Sequence, residues 1–382
     1  MGLERLSAQL EELRRAGLMR SRLTLESAQG PRIRIDGQEH VAFCSNDYLG
    51  LAADPRIVAA VVKAVQRYGV GSGASHLVTG HSVAHDRLET ALAEFVRMPR
   101  ALLFSTGYLA NIGVVTALAG REDAVFSDAL NHASLIDGIR LSHAQVVRFA
   151  HCDVNALGRA LEQSQARSRF VVTEGVFSMD GDIAPLPAIL ELCERFEAWL
   201  LVDDAHGFGV LGAEGRGVLE HFGMASPRII YVGTLGKAAG VSGAFVAGAA
   251  TMVETVLQRA RSYIYTTASP PFLAAAVEAS LTIIREETWR RRRLSALIDL
   301  LKRGLRGSRA RLSPSETPIQ PLIIGGNADA VRASQALRER GIIVPAIRPP
   351  TVPEGTARLR ISLSSAHDEA DVEGLVVALR DQ

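Results

Sequence analysis

The chain has 382 residues, of which 47% are hydrophobic, and its 42 basic residues almost balance its 41 acidic ones. This length and composition are typical of a globular protein with more than one hydrophobic core. A net charge of +1 provides no overall field that would favour nucleic acid or an anionic membrane, so neither partner is predicted.

The cysteines and the hydropathy indicate the compartment. Cys44, Cys152 and Cys193 are sparse and lack metal-type spacing, which disfavours a disulfide framework and fits a reducing compartment. No apolar run approaches the about 20 residues of a membrane span, and the charged N-terminus carries no visible signal peptide. We therefore expect a cytoplasmic protein.

An amphipathic helix is predicted over residues 3–18, because apolar residues recur there at helical spacing between charged ones. A β-hairpin around the Asp36-Gly37 turn follows, and then a second helix over residues 55–68. His81 and His85, four residues apart, have the spacing of two metal ligands on one helix face. Because the glutamate of an HExxH motif is absent, we predict no metal site and expect these histidines to pack or cap near a subunit contact.

Strands alternate with helices from Ala101 onwards, which is the signature of a mainly parallel sheet. The predicted strands of this sheet are 101–105, 124–127, 145–149, 170–173, 199–202, 229–232 and 244–247. Further strands are predicted over 321–324, 342–346 and 357–363, alternating with helices. We predict an α/β protein with an N-terminal helix and hairpin segment (1–45), a large seven-stranded domain (46–284) and a small C-terminal α/β domain (285–382).

A lysine, Lys237, follows the predicted strand 229–232 within the small-residue segment TLGKAAGVSG (234–243). The glycines of this segment permit tight turns and the close approach of a bulky ligand. Next to apolar surface the charged form of an amine is disfavoured, and a neutral lysine amine can form a Schiff base with an aldehyde. Taken alone, such a lysine is more commonly a solvated loop residue.

Two acids and a histidine end an earlier predicted strand, in the segment WLLVDDAHGFG (199–209). A carboxylate at the strand end, Asp203, can keep a pyridine nitrogen protonated, so that the ring accepts electrons from a carbanion. His206 can bond to the phenolic oxygen of the same ring. Helix capping by Asp203 and an ordinary loop role for His206 are the alternatives. Together with Lys237, the pair favours pyridoxal 5'-phosphate as the cofactor.

The carboxyl ends of parallel strands form the ligand crevice of such a sheet. The candidates at these ends are Asp203, His206, Thr234 and Lys237. The strand 101–105 leads into Thr106-Gly107-Tyr108, where a helix begins. Because the N-terminus of a helix presents free amides and the positive end of its dipole, Gly107 and Tyr108 are predicted to bind the cofactor phosphate.

The chain resembles the α-oxoamine synthases, a family of fold-type-I pyridoxal-phosphate enzymes, from about its first helix to its last. The segments that carry the resemblance are TLGKAAGVSG, LVDDAHGFGVLG (201–212), TEGVFSMDGDIAPL (173–186), SNDYLGL (45–51) and AIRPPTVPEGTARLRISLS (346–364). The resemblance implies the fold-type-I transferase fold, with a large mainly parallel sheet domain and a smaller α/β C-terminal domain.

The resemblance also implies roles for residues that have an ordinary structural explanation. It implies that His132, otherwise a capping residue, stacks on the pyridine ring. It places Ser178, otherwise a turn residue, and Thr234 in contact with the cofactor. Thr266 and Thr267 would reach the phosphate of the neighbouring subunit, which implies a homodimer.

Four further residues are implied to bind substrate. Arg360 would pair bidentately with the amino-acid carboxylate, a task suited to its planar fork, and Asn46 would touch the same group. Thr351 would lie near the substrate. Arg20 would lie near the acyl substrate, although a solvated helix end is its commoner explanation.

The segments 45–51 and 346–364 are most similar to the branch of the family that condenses L-alanine with a pimeloyl thioester of coenzyme A or acyl carrier protein. In that reaction Lys237, alone or with His132, would remove the Cα proton. The nearest alternative is a glycine-using sister enzyme such as 2-amino-3-ketobutyrate CoA ligase, because one methyl group changes binding by only about 1–3 kcal/mol. A non-catalytic sensor on this fold would be expected to have lost the lysine or the acid, and this chain has both.

Overall fold

The computed structural model of the chain describes residues 2–381, which fall into two compact units. The large unit comprises residues 49–178 and 182–292, and the small unit comprises residues 2–48, 179–181 and 293–381. The N-terminal and C-terminal segments thus share one unit. The finer division into segments 1–45, 46–284 and 285–382 stays a prediction.

The strands, numbered along the chain, are β1 Arg32–Ile35, β2 Gln38–Ala42, β3 Arg100–Phe104, β4 Ala124–Asp128, β5 Gln145–Phe149, β6 Arg169–Glu174, β7 Trp199–Asp203, β8 Ile229–Thr234, β9 Ala244–Gly248, β10 Ile319–Gly325, β11 Ile342–Ile343, β12 Ala346–Ile347 and β13 Ala357–Ser362. The helices are α1 Leu3–Arg15, α2 Pro55–Tyr68, α3 Val83–Phe95, α4 Gly107–Leu118, α5 Ala133–Ser142, α6 Val154–Gln163, α7 Leu186–Arg195, α8 Val218–Phe222, α9 Ala250–Arg259, α10 Arg261–Ile264, α11 Pro271–Glu286, α12 Thr288–Gly304, α13 Asn327–Glu339 and α14 Glu369–Arg380. A π-helical turn spans His76–Gly80.

The large unit is built on one seven-stranded sheet in the order β3-β9-β8-β7-β6-β4-β5. Strand β9 is antiparallel to β3 and β8, and the pairs from β8 to β5 are parallel. All seven strands predicted for this sheet are confirmed. Their ends differ from the predicted ones by at most two residues.

The apolar composition of the strands explains their burial. Strand β7 is apolar up to its last residue, as expected for a parallel strand covered on both faces. Helix α4 is largely apolar as well, and its residue Val114 shares one buried cluster with Leu135 of α5, Val232 of β8 and Val253 of α9. Polar side chains therefore collect at the carboxyl ends of β6, β7 and β8 rather than along these strands.

The small unit contains two three-stranded sheets, ordered β1-β2-β11 and β10-β13-β12. The prediction of one strand over 342–346 is wrong, because β11 and β12 are separate short strands that belong to different sheets. Pro345 lies between them and has no backbone N–H with which to continue a strand ladder. Its carbonyl oxygen instead accepts from Arg360 N at 3.1 Å.

Helix α1 ends at Arg15, three residues before the predicted end. Gly17 adopts a φ of +66°, and Leu18 N donates to Leu13 O at 2.8 Å, which is a glycine-type helix stop. None of the α1 residues is buried within the chain. The helices found within residues 2–381 lack the combination of length and apolar character that crossing a membrane requires.

Candidate active site

The carboxyl ends of three adjacent strands bring the central polar groups together. Asp203 is the last residue of β7 and pairs in register with Glu174, the last residue of β6, and with Val232 of β8. Thr234 ends β8. The three polar residues are buried, with relative exposures of 6% for Asp203, 3% for Glu174 and 8% for Thr234. The predicted placement of Asp203 and Thr234 at strand ends is thereby confirmed.

Both oxygens of the Asp203 carboxylate are hydrogen-bonded. Asn111 Nδ2 donates to Oδ2 at 2.6 Å, and Ala205 N donates to Oδ1 at 3.1 Å. Asn111 lies one turn inside α4, is itself buried, and donates to Ser134 Oγ at 2.9 Å as well. This network fixes the carboxylate by groups that favour its charged form.

Lys237 and His206 meet, although they follow different strands. Lys237 Nζ lies 2.8 Å from His206 Nε2. The lysine loop is closed by Gly240, whose amide donates to Lys237 O at 2.8 Å. Gly240 has a φ of +69°, and a Cβ on it would lie 2.6 Å from the backbone of Leu51. A residue with a side chain is therefore strained at this position, as the small-residue segment predicted.

His132 caps helix α5. Its Nδ1 accepts from Ser134 N at 3.2 Å and lies 2.7 Å from Ser134 Oγ. Desolvation lowers the pKa of His132, and the nearby Asp203 carboxylate does not reverse the shift, so the ring is neutral near pH 7. His132 therefore has the capping role predicted as its structural alternative. Its stacking on a cofactor ring stays a prediction.

Helix α4 begins at the predicted phosphate-binding position. Thr106 is its N-cap, and Thr106 Oγ1 accepts from Leu109 N at 3.2 Å. A Cβ built on Gly107 would meet Thr234 Oγ1 at 3.9 Å, so the helix start and Thr234 are neighbours. The Tyr108 hydroxyl donates to Asp137. The first-turn amides of α4 need acceptors from outside the helix, which suits an anion.

These residues fit pyridoxal phosphate. They supply an amine, a buried carboxylate held by an asparagine, and a helix N-terminus beside a threonine hydroxyl. Among the described residues, Glu174 Oε1 is buried without a hydrogen-bond partner, so the site also contains a polar group that a ligand can satisfy. Bound there, the cofactor would supply an electron sink for negative charge at the Cα of an amino acid.

The predicted substrate residues lie in the small unit. Arg360 of β13 is 5% exposed, and its Nη1 lies 3.3 Å from Asn46 Oδ1 and donates to Ser362 Oγ at 2.7 Å. The Tyr48 hydroxyl donates to Asn46 Oδ1 at 3.1 Å. Arg360 and Asn46, predicted to bind the same carboxylate, are therefore in contact.

Arg20 and Thr351 share a cavity. Both line one cavity of about 880 Å³ in the small unit, with His40, Cys44 and Arg348 among the other lining residues. Arg348 donates to Gly17 O and thereby holds the chain that follows α1. The two residues were predicted from distant parts of the sequence, and the fold places them on one cavity.

Ser178 lies beside the site, because Ser178 N donates to Glu174 Oε2 at 3.2 Å. Thr267 forms an isolated antiparallel bridge with Ser75. The roles of Thr266 and Thr267 at a neighbouring subunit stay predictions.

Three histidines form a second cluster, in and next to the π-helical turn. His76 Nδ1 lies 2.8 Å from His81 Nδ1, and His81 Nε2 lies 2.9 Å from Asp86 Oδ1. His85 Nδ1 accepts from Ser82 N at 3.0 Å and caps α3. The predicted capping role is confirmed for His85.

Sequence reasoning missed three residues of the site. Glu174 ends a predicted strand with an acid, the same signal that identified Asp203. Asp204 is fully buried, accepts from Tyr231 Oη and Val218 N at 2.8 Å each, and burial raises its pKa to about 7. Asn111 carried no signal beyond being a polar residue in an apolar helix.

Comparison with known proteins defines the class. A sequence model described as aminotransferase class I and II matches residues 38–379. The structure of a Sphingomonas wittichii serine palmitoyltransferase superposes with a TM-score of 0.93 at 33% identity, covering 98% of this chain and 96% of that chain. The structure of 8-amino-7-oxononanoate synthase from Francisella tularensis superposes with a TM-score of 0.78 at 32% identity, covering 90% and 97%. The fold is that of the fold-type-I pyridoxal-phosphate enzymes, as predicted.

Curated relatives identify the branch of this class to which the chain belongs. The 8-amino-7-oxononanoate synthase of Nitrosospira multiformis is 63% identical over 364 residues, which are 95% of this chain and 92% of the relative. The protein of the same name from Nitrosomonas europaea is 59% identical over 379 residues, 98% of each chain. The chain belongs to the class I and II aminotransferase family and, within it, to the 8-amino-7-oxononanoate synthases. The predicted cofactor, pyridoxal 5'-phosphate, is confirmed by this membership.

Proposed function

We propose that the chain condenses L-alanine with a pimeloyl thioester and releases carbon dioxide, the free thiol carrier and 8-amino-7-oxononanoate, a step of biotin synthesis. The observation that carries the acyl specificity is the cavity of about 880 Å³ that Arg20 and Thr351 both line. Its volume lies in the range of small-molecule sites, and Arg20 supplies a cation for the far carboxylate of the acyl chain. The names of the curated relatives support the same product.

The proposed roles at the large unit follow from the hydrogen bonds. Lys237 would hold the cofactor covalently until the alanine amine takes its place, and the released lysine amine would then remove the proton from alanine Cα, assisted by the neutral neighbour His132. His206, 2.8 Å from Lys237 Nζ, orients the amine and a cofactor oxygen. Asp203 keeps a negative charge at the site and so favours a protonated cofactor nitrogen. Gly107, Tyr108, Thr234 and Ser178 complete the binding of the cofactor.

The substrates are bound by residues of the small unit. Arg360 and Asn46 hold the alanine carboxylate, and buried guanidinium–carboxylate pairing gives this contact its geometry. The alanine Cα forms a bond to the thioester carbonyl carbon, and the thiol leaves. The carboxylate is then lost as carbon dioxide and a proton returns to Cα. A homodimer, in which Thr266 and Thr267 reach the neighbouring subunit's phosphate, is part of the proposal.

The experiment is a product assay by mass spectrometry with purified, cofactor-loaded protein. L-alanine is paired with pimeloyl-CoA and with pimeloyl acyl carrier protein, and glycine is paired with acetyl-CoA. We expect 8-amino-7-oxononanoate from the alanine reactions, and the two pimeloyl donors identify the carrier by their kcat/KM values. If glycine with acetyl-CoA is the preferred pair, the function is that of 2-amino-3-ketobutyrate CoA ligase and the proposal is wrong. Lys237→Ala is the negative control.

A further inference from the structure

Glu174 is a buried acid at the site for which the proposed reaction has no role. It ends β6 in register with Asp203 at the end of β7, so two carboxyl groups occupy adjacent strand ends. Both are almost fully buried. Two neighbouring buried carboxylates that are both ionised repel each other and lose hydration, which is costly unless cations or donors compensate.

The two carboxyl groups differ in their donors. Asp203 receives a donor on each oxygen, from Asn111 Nδ2 and Ala205 N. Glu174 accepts from Ser178 N on Oε2, and the backbone amide of His132 also donates to its carboxyl group. Its Oε1 is buried with no hydrogen-bond partner among residues 2–381. Each oxygen of Asp203 therefore has a donor, whereas one oxygen of Glu174 has none within the part of the chain that the structure describes.

The charged groups around Glu174 also disfavour its ionised form. Burial and the Asp203 carboxylate raise the pKa of Glu174 well above its usual value, and the Lys237 amine and the two backbone amides do not reverse the shift. Burial also raises the pKa of Asp204, the residue after Asp203, to about 7, so that Asp204 is partly neutral at pH 7. A neutral Glu174 would leave Asp203 as the carboxylate available to a cofactor nitrogen.

We propose that Glu174 is a neutral carboxylic acid with its proton on Oε1, and that this O–H donates a hydrogen bond to an oxygen of bound pyridoxal phosphate. Its carboxyl group accepts from the Ser178 and His132 amides and so positions two residues predicted to touch the cofactor. This inference requires the cofactor but not the acyl substrate, so it stands apart from the proposed reaction. It makes Glu174 a cofactor-binding and positioning residue.

Difference infrared spectroscopy tests the protonation state directly. Wild-type protein and Glu174→Gln are compared at neutral pH, with and without pyridoxal phosphate, after labelling with carboxyl-13C glutamate to separate Glu174 from Asp204. We expect a protonated carboxylic acid band that shifts with the label, is missing in Glu174→Gln, and moves when the cofactor is added. Asp204→Asn should leave this labelled band in place. A Glu174 signal found only at carboxylate frequencies overturns the neutral acid, and a band that the cofactor does not move overturns the hydrogen bond.

Cofactor affinity provides a second, independent readout. Glutamine is close in shape to a neutral glutamic acid and offers both an acceptor and a donor, so Glu174→Gln should keep the dissociation constant of pyridoxal phosphate within roughly threefold. Glu174→Ala removes the donor and also the carboxyl acceptor of the Ser178 and His132 amides, and it should weaken binding by roughly tenfold. If Glu174→Gln binds as weakly as Glu174→Ala, the charge is required and the proposal fails. If the Ala variant does not fold, the Glu174→Gln dissociation constant still tests the proposal, because a value more than roughly threefold above wild type contradicts a neutral acid.

Discussion

Lys237 Nζ lies 2.8 Å from His206 Nε2, a contact that joins the loop after β8 to the turn after β7. The contact holds the amine at the edge of the sheet where Asp203 ends β7. The nucleophile and the carboxylate proposed to control the cofactor ring are therefore positioned by adjacent parallel strands, which are rigid and buried.

Lysine substitution has an unusually clear readout because the chain contains three lysines, Lys63, Lys237 and Lys302. Borohydride reduction of the cofactor-loaded protein should attach the cofactor to the Lys237 peptide. Lys237→Ala should abolish this attachment and lower kcat by at least about 10³-fold, as expected for loss of the covalent amine. Lys63→Ala, on an exposed helix position, is the control. Label recovered on Lys63 or Lys302 from wild-type protein contradicts the assignment.

Asn111→Ala removes the donor 2.6 Å from Asp203 Oδ2. Because a hydrogen bond to a charged group contributes about 1.5–3 kcal/mol, we expect kcat to fall by roughly 10- to 100-fold. Thr116→Ala, which removes a hydroxyl bonded to Ile112 O in the same helix, is the control and should cost much less. Steady-state kinetics of both variants decide the point, and equal losses would mean that the network acts only through packing.

Arg360→Lys replaces a planar fork by a point charge at the proposed carboxylate site. We expect the KM for L-alanine to rise roughly 10- to 100-fold, since a charge-assisted bidentate pair is lost. The KM for the acyl thioester should stay near the wild-type value. An unchanged alanine KM would remove Arg360 from the site, whatever happens to kcat.

Arg20→Ala should raise the KM for the acyl thioester rather than the KM for L-alanine. Arg20 is exposed, and loss of an exposed charge pair predicts a roughly two- to fivefold higher KM for the pimeloyl thioester with little change for alanine. Arg22→Ala is the matched control, because Arg22 is also exposed and lies two residues further along the same segment, but does not line the cavity. Identical kinetics for Arg20→Ala and wild-type protein would place the acyl carboxylate elsewhere.

His151 predicts a pH dependence of stability. Burial alone would lower its pKa from 6.5, but hydrogen bonds to Asp128 at 3.0 Å and Asp182 at 2.8 Å raise the pKa to about 12. A pKa raised on folding stabilises the native state fully below about pH 6.5, and this contribution is lost as the pH rises towards 12.

We therefore expect His151→Gln to lower the free energy of unfolding by roughly 1–3 kcal/mol at pH 6, between the values for exposed and buried ion pairs. The difference from wild type should shrink at pH 9. Urea denaturation at both pH values measures it, with the exposed His221→Gln as control. A difference that is constant with pH would show that His151 acts through packing alone.

The strands of the large sheet and the chemistry at its edge could be predicted from local sequence patterns. Apolar strand runs ending in polar residues are local patterns, so the seven strands of the large unit and the strand-end positions of Asp203 and Thr234 followed from composition and spacing. The motif segments around Lys237 and Asp203 likewise identified the cofactor. Local signals also explain the one wrong strand, because Pro345 interrupts a run whose hydropathy alone appears continuous.

Contacts between distant residues depend on the tertiary structure. Asn111 and Asp203 are in different elements, and nothing in the residues around either one indicates their 2.6 Å contact. Arg20 and Thr351 likewise line one cavity only after the chain has folded. The protonation of Glu174 depends on burial and on a neighbouring charge, both of which are properties of three-dimensional packing. Spacing along the chain identifies residue types and strand ends, whereas contact, burial and electrostatic coupling arise from the fold.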